Sequence, residues 1–159
     1  MSKSAKKNRE KNRPPAGSRA RVILYAIAAL FCLAGLADAT YLSVIAFTGE
    51  TAACSGQAGC FEVLGSKYAR VAGMPVAAFG ALGYFTAFTF ATFAAFNYPR
   101  ARKFFALTVF LMFGATLWFL YVQAFLLHAY CRYCLLSAAI TFLLMGLVVA
   151  APSPRGQTE

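Results

Sequence analysis

The sequence predicts an all-α membrane protein, a four-transmembrane-helix bundle with one outer loop large enough to hold chemistry. Three observations predict it. Of the 159 residues, 60% are hydrophobic and only 13% charged, well above the apolar share of about 45–50% in a soluble domain. The apolar residues gather into four runs, each able to supply the roughly 20 helical residues that cross a bilayer core. Four of the five cysteines fall as two pairs beside those runs, on one side of the membrane.

Residues 1–21 are rich in Ser, Asn, Pro and Lys and carry eight Lys and Arg. Such a composition buries too little apolar surface to fold, so a disordered basic tail is expected. The runs that follow are 22–47, 71–96, 104–127 and 131–151, and with their connections they form one transmembrane domain over 22–151. Transmembrane strands are excluded, because they alternate in polarity over about 10 residues and these runs do not. Between the runs lie a polar loop over 48–70, a basic turn Asn97-Tyr-Pro-Arg-Ala-Arg-Lys103 and a link His128-Ala-Tyr130, and residues 152–159 form a second tail. Ala37-Asp-Ala39 looks like a signal-cleavage site, but the apolar run continues to Phe47 and is too long for a signal core. The first helix is therefore expected to remain.

Twelve Lys and Arg lie on the side of the tails and the 97–103 turn, against three on the side of the 48–70 loop and the head of the fourth helix. Positive charge stays in the cytoplasm, so both termini are expected there and the loop outside. Topology and attraction to anionic membrane lipid account for the net charge of +10; nucleic acid is not an expected partner.

Cys32 lies inside the first helix and reads as a buried core thiol. Cys54 and Cys60 occupy the outer loop as Cys54-Ser-Gly-Gln-Ala-Gly-Cys60, and Cys131-Arg-Tyr-Cys134 opens the fourth helix. All four face the oxidising side of a bacterial plasma membrane or an endoplasmic reticulum membrane, where paired thiols persist as disulfides. Two structural disulfides and a four-thiolate zinc site compete with a redox reading. Only the second pair has the spacing of a zinc knuckle, and a stapled loop needs no second pair at a helix terminus. A relay uses all four: thiolates attack disulfides through mixed intermediates, so one pair meets the donor and the other the acceptor.

Residues three apart share a helix face, and free N–H groups at a helix N-terminus stabilise a thiolate, with Arg132 adding positive charge. Cys134 is then expected to face the apolar interior beside Leu135 and Leu136, and Cys131 to face water and the loop. The Gly-containing 54–60 segment is expected to move between an external protein and Cys131. The sequence carries no flavin, nicotinamide or haem motif, so the expected electron acceptor is a membrane quinone: menaquinone, ubiquinone or phylloquinone.

The order Cys54…Cys60-Phe-Glu-Val63-Leu-Gly-Ser66, then Gly73-Met-Pro75-Val…Gly80…Tyr84, then Cys131-x-x-Cys134, resembles the vitamin K epoxide reductase family, particularly its bacterial branch, over about residues 22–150. The resemblance implies a four-helix bundle around a quinone. In it Cys131–Cys134 is the active-site disulfide, Cys54–Cys60 the shuttle pair, and Ser66 a residue of the quinone site. Many bacterial members carry a fused thioredoxin-like domain; only residues 152–159 follow the last helix here, so a separate thioredoxin-fold disulfide donor is the expected partner. Vertebrate-type members have an aromatic hydroxyl four residues beyond the second active-site cysteine, where this chain has Ala138.

The expected function is a thiol:quinone oxidoreductase in a bacterial plasma membrane, supporting disulfide formation in exported proteins. The alternatives are reduction of a quinone epoxide by the same thiols, and a non-catalytic tetraspan protein stapled by two disulfides. Asp38 is an intramembrane carboxyl and therefore a candidate functional group or an interhelix hydrogen-bond partner. His128 is a candidate proton relay or a surface residue. Gly73, Ala77, Gly80 and Ala81 are expected to let the second helix pack closely, with Pro75 in its first turn. Trp118, Tyr121, Tyr130 and Tyr133 read as belt or packing aromatics, those near Cys134 also as candidates to line the quinone pocket.

Overall fold

The computed structural model describes residues 16–48 and 58–151. Helices α1 (Ala16–Thr48), α2 (Ala58–Gly65), α3 (Val76–Ala95), α4 (Pro99–Tyr121) and α5 (Arg132–Ala150) follow in order, and a π-helical segment, Val122–Leu127, continues α4. Four of them, all but α2, are long and apolar enough to cross a membrane. α1 packs on α3, α3 on α4, α4 on α5 and α5 back on α1, which closes a ring of four.

The packing follows from residue spacing. α1 buries Tyr25, Ala28, Cys32, Gly35, Ala39 and Leu42, alternating steps of three and four residues that draw one stripe along a helix. α3 answers with Tyr84, Ala87, Ala91 and Ala94. Most of these side chains are small, and small residues let helices approach closely where lipid leaves no hydrophobic drive between them. Leu30, Leu82, Phe96, Leu111 and Val149 point outward, as helices solvated by lipid require.

Helix boundaries differ from the sequence expectation at three places. α1 begins at Ala16 rather than at residue 22; Gly17 is the poorest helix former from Ala16 to Arg21, and no proline interrupts the stretch. α3 begins at Val76 rather than at residue 71, because Arg70–Val71 pairs antiparallel with Met74–Pro75. The turn between them places Ala72 at φ 53° and Gly73 at φ 83°, the double positive φ of a tight hairpin turn. Gly73 is thus a turn residue rather than a packing residue, and Pro75 caps α3 from outside. Gly80 does face α1, where an added Cβ would lie 3.8 Å from that of Ala39. α4 begins at Pro99 rather than at residue 104, with the proline at the first helical position, so Arg100, Arg102 and Lys103 belong to the helix and not to the turn before it.

The C-terminal end of α1, α2, the hairpin and the 128–131 link gather at one end of the bundle; the Arg70 guanidinium donates to the Ala46 carbonyl at 3.3 Å and ties the hairpin to α1. Arg19, Arg21, Arg100, Arg102 and Lys103 mark the opposite end of the helices.

Candidate functional site

The site begins where α4 loosens. After the π-helical segment, His128 takes a left-handed conformation at φ 51°, and the Ala129 N–H returns to the Gln123 carbonyl at 3.3 Å. Gln123 is buried, 1% exposed, and its side-chain Oε1 accepts the Cys131 N–H at 3.2 Å. A π-bulge of this kind widens a helix and recurs at functional sites; here it turns an amide inward to fix the backbone of a cysteine.

Cys131 is the N-cap of α5, and its sulfur accepts the Cys134 N–H at 3.5 Å. Both are free thiols. The hydrogen bond from the Cys134 thiol, helped by the N–H groups of Cys134 and Tyr133, draws the Cys131 thiol down from 9.0 to about 7, against the upward pull of burial and of the Asp38 charge. At neutral pH a large share of Cys131 is therefore the nucleophilic thiolate.

Cys131 does not face water as expected: it is 0% exposed. The short helix α2 lies over it, and Cys60, Val63, Ala129 and Cys131 form one buried cluster, joined by Leu64, Leu127, Tyr133 and Cys134. Gly59 permits the approach, since a Cβ there would stand 2.8 Å from the Tyr130 carbonyl oxygen. Cys60 is held in a disulfide; Cys54 lies outside the described residues.

Cys134 opens the other way, onto a cavity of about 530 Å³, within the usual range of small-molecule sites. Leu42, Val63, Pro75, Met112 and Phe119 are among its apolar walls, and its polar groups include Tyr84, Gln123, Ser137 and Thr141. The Tyr84 ring lies where a Cβ on Gly35 would meet it at 2.3 Å, and its hydroxyl donates to the Ser137 carbonyl at 2.9 Å. The same oxygen is 2.9 Å from Ser137 Oγ and 3.0 Å from Thr141 Oγ1. A tyrosine oxygen can both donate and accept, and Thr141 Oγ1 also donates to the Ser137 carbonyl at 3.0 Å, so the three hydroxyls form one hydrogen-bonded cluster on the cavity wall.

The sequence model of the vitamin K epoxide reductase family matches residues 26–149. The chain belongs to the vitamin K epoxide reductase family. Comparison with curated proteins returns no match. Membership makes the chain a multi-pass membrane oxidoreductase.

Within this family frame, the structure brings Cys60, Cys131 and Cys134 together and leaves Ser66 apart. Ser66 Oγ donates to the Val63 carbonyl at 2.8 Å, closing the turn after α2, and the residue lines a separate open groove with Glu62, Lys67, Tyr68 and Leu127. Ser66, expected at the quinone site, stands on this groove, whereas Cys134 borders the cavity. Cys32 is buried in the α1–α3 interface, and His128 is exposed. Tyr133 packs on Tyr41 at 5.4 Å, while Trp118, Tyr121 and Phe125 stack in series; none of these lines the cavity. Gln123, Ser137 and Thr141 were not singled out by sequence. The steps of three and four from Cys134 to Ser137 to Thr141 are the signal that marks one polar helix face in an apolar run.

Proposed function

We propose that this protein is a thiol:quinone oxidoreductase that reoxidises a thioredoxin-fold partner and so supports disulfide formation in exported proteins. One observation carries the reading: three residues apart, Cys131 is packed against Cys60 while Cys134 opens on an apolar cavity. In the proposed sequence the partner's thiolate attacks Cys54–Cys60, breaking that disulfide and leaving two loop thiols as the partner is oxidised. A loop thiolate then attacks Cys131–Cys134, which restores the loop disulfide and leaves the inner pair reduced. Oxidation of the inner pair returns it to a disulfide as two electrons pass to the quinone.

The cavity fits such an acceptor. Its apolar walls would take the ring and tail, and Tyr84, Ser137 and Thr141 supply hydroxyls for the ring oxygens. The quinone, of whichever kind, would supply two-electron, two-proton acceptor chemistry. Ala138, on the cavity wall, brings no hydroxyl of its own, which favours plain quinone reduction over reduction of an epoxide. The Lys and Arg distribution supports cytoplasmic termini and cysteine pairs facing outward, and the resemblance to the bacterial branch of the family supports a bacterial plasma membrane for the basic tail and the domain over 22–151.

The test is quinone reduction by the detergent-purified protein with a thioredoxin-fold dithiol protein as donor. Cys131→Ala and Cys134→Ala should each abolish turnover, since one thiol cannot complete a two-electron transfer, while Cys32→Ala keeps it. An active Cys134→Ala protein would overturn the assignment.

A further inference from the structure

Of the five acidic residues in the sequence, Asp38 alone lies within a spanning helix. It is 8% exposed, and its Oδ2 has no hydrogen-bond partner among the described residues. An unpaired carboxyl is costly to hold ionised in a lipid-surrounded bundle, and one that is kept there marks a site of proton traffic. The steps of the mechanism described above leave Asp38 without a role.

Its position supplies one. Asp38 is one turn along α1 from Gly35, the residue whose missing side chain admits the Tyr84 ring, and it adjoins Ala39, which lines the cavity. Tyr84 of α3 packs against α1 at Gly35, one turn before Asp38, and the Asp38 charge acts on the Cys131 thiol at the head of α5. One turn further on, Tyr41 of the same helix pairs with Tyr133 of α5. Asp38 thus lies one turn from the contact that seats Tyr84, whose hydroxyl joins those of Ser137 and Thr141 on the cavity wall, and within electrostatic reach of Cys131.

Resting on the proposed function, we propose that Asp38 is the proton store of the dithiol–quinone reaction, taking up a proton released by Cys131 and Cys134 and returning it by way of the Tyr84, Ser137 and Thr141 hydroxyls. The balance is closed. Oxidation of the inner pair breaks two S–H bonds and forms one S–S bond; two electrons pass to the quinone, and both protons end on its oxygens as quinol. Asp38 is neither oxidised nor reduced and ends the cycle in the protonation state in which it began. The store matters because the inner pair must shed its protons as the disulfide forms, and Cys131 has no exposed surface through which to pass one to bulk solvent.

The experiment compares the full-length wild-type protein with Asp38→Asn, which keeps the shape and cannot store a proton, and Asp38→Glu, which restores the carboxyl. The first readout needs no quinone: thiolate absorbance near 240 nm across pH, with Cys131→Ala subtracted. Asp38→Asn should move the Cys131 midpoint downward, since it removes a negative charge, and Asp38→Glu should return it. The second readout is quinone reduction, which Asp38→Asn should slow on the order of 10²-fold, the usual scale for losing a proton-transfer group, with little change in KM and a flattened pH profile. A Cys131 midpoint that Asp38→Asn leaves in place would overturn the store, as would equal slowing by Asn and Glu with an unchanged pH profile, the mark of a packing role. Absence of quinone reduction in the wild-type protein would overturn the proposed function itself, an outcome the thiolate titration keeps separate.

Discussion

Gly59→Ala sets two effects of opposite sign against each other. In an isolated helix the change stabilises by about 1 kcal/mol, because alanine loses less backbone freedom than glycine. Here the new Cβ would stand 2.8 Å from the Tyr130 carbonyl oxygen, about 0.6 Å short of ordinary contact at 3.4 Å. The obstacle is backbone, so α2 or the 128–131 link has to move, and overpacking of this kind costs about 1–3 kcal/mol. The balance leaves a net loss of about 0–2 kcal/mol, so the melting temperature should equal that of the wild type or fall modestly below it. The rate should not be spared. Cys60 and Cys131 share one buried cluster, and misplacing reacting groups by about 1 Å costs about 10²-fold, so a shift of roughly half that should slow exchange between the pairs about tenfold. The assay is quinone absorbance loss, driven either by a thioredoxin-fold dithiol protein or by dithiothreitol, a small reductant able to reach the inner pair without the loop. The protein-driven rate should fall and the dithiothreitol-driven rate hold. Equal losses with both reductants, or no loss with the protein donor, would refute the argument that α2 positions the shuttle.

Three further outcomes are expected. Thiolate absorbance should assign Cys131 a midpoint near pH 7; because the value is lowered, nucleophilic thiolate is abundant above that pH and lost as pH falls through it, and Cys134→Ala should raise the midpoint by removing the thiol hydrogen bond that lowers it most. Gln123→Leu should leave the buried Cys131 N–H without its acceptor, costing about 1–3 kcal/mol, read as a lower melting temperature. A membrane-impermeant alkylating reagent should label reduced Cys54 and Cys60 in intact cells while terminal tags stay protected; a labelled terminal tag would reverse the proposed orientation.

The four spanning helices were legible because each is an apolar run with few charges, and lipid permits little else in such a run. The 71–75 hairpin was not. Val71 and Met74 extend the apolar run, and the turn that interrupts it rests on Ala72 at positive φ, a conformation that alanine does not advertise. The nearness of Cys131 and Cys134 was legible from their spacing, but the burial of Cys131 was not, since helix periodicity gives the phase of α5 and says nothing of where α2 lies down. Ser66 was carried by its resemblance to a family motif, whereas its hydroxyl turns back to the Val63 carbonyl. The polar wall of the cavity depends on Tyr84 reaching across from another helix through the gap left by Gly35, a tertiary event with no local signature.

The proposed division of labour between two cysteine pairs follows from how α5 begins. An N-cap residue has extended backbone, φ −97° and ψ 118° at Cys131, so its side chain leaves the helix axis sideways, toward whatever covers the helix end. Three residues later Cys134 is inside the first turn, and its side chain follows the helical stripe that continues through Ser137 and Thr141 to the cavity. Two sulfurs close enough for a hydrogen bond thereby face different surroundings. Cys131 has no exposed surface, which denies a folded protein direct access and leaves the overlying loop as the route by which protein thiols could exchange with it. Cys134 borders a cavity suited to an apolar ligand and too confined for a protein. A dithiol placed one residue earlier, wholly within the N-terminal loop, would expose both sulfurs to the partner; one placed a turn later would seal both in the bilayer. The helix start is the position where one CxxC pair can serve a protein on one side and a lipid-soluble acceptor on the other.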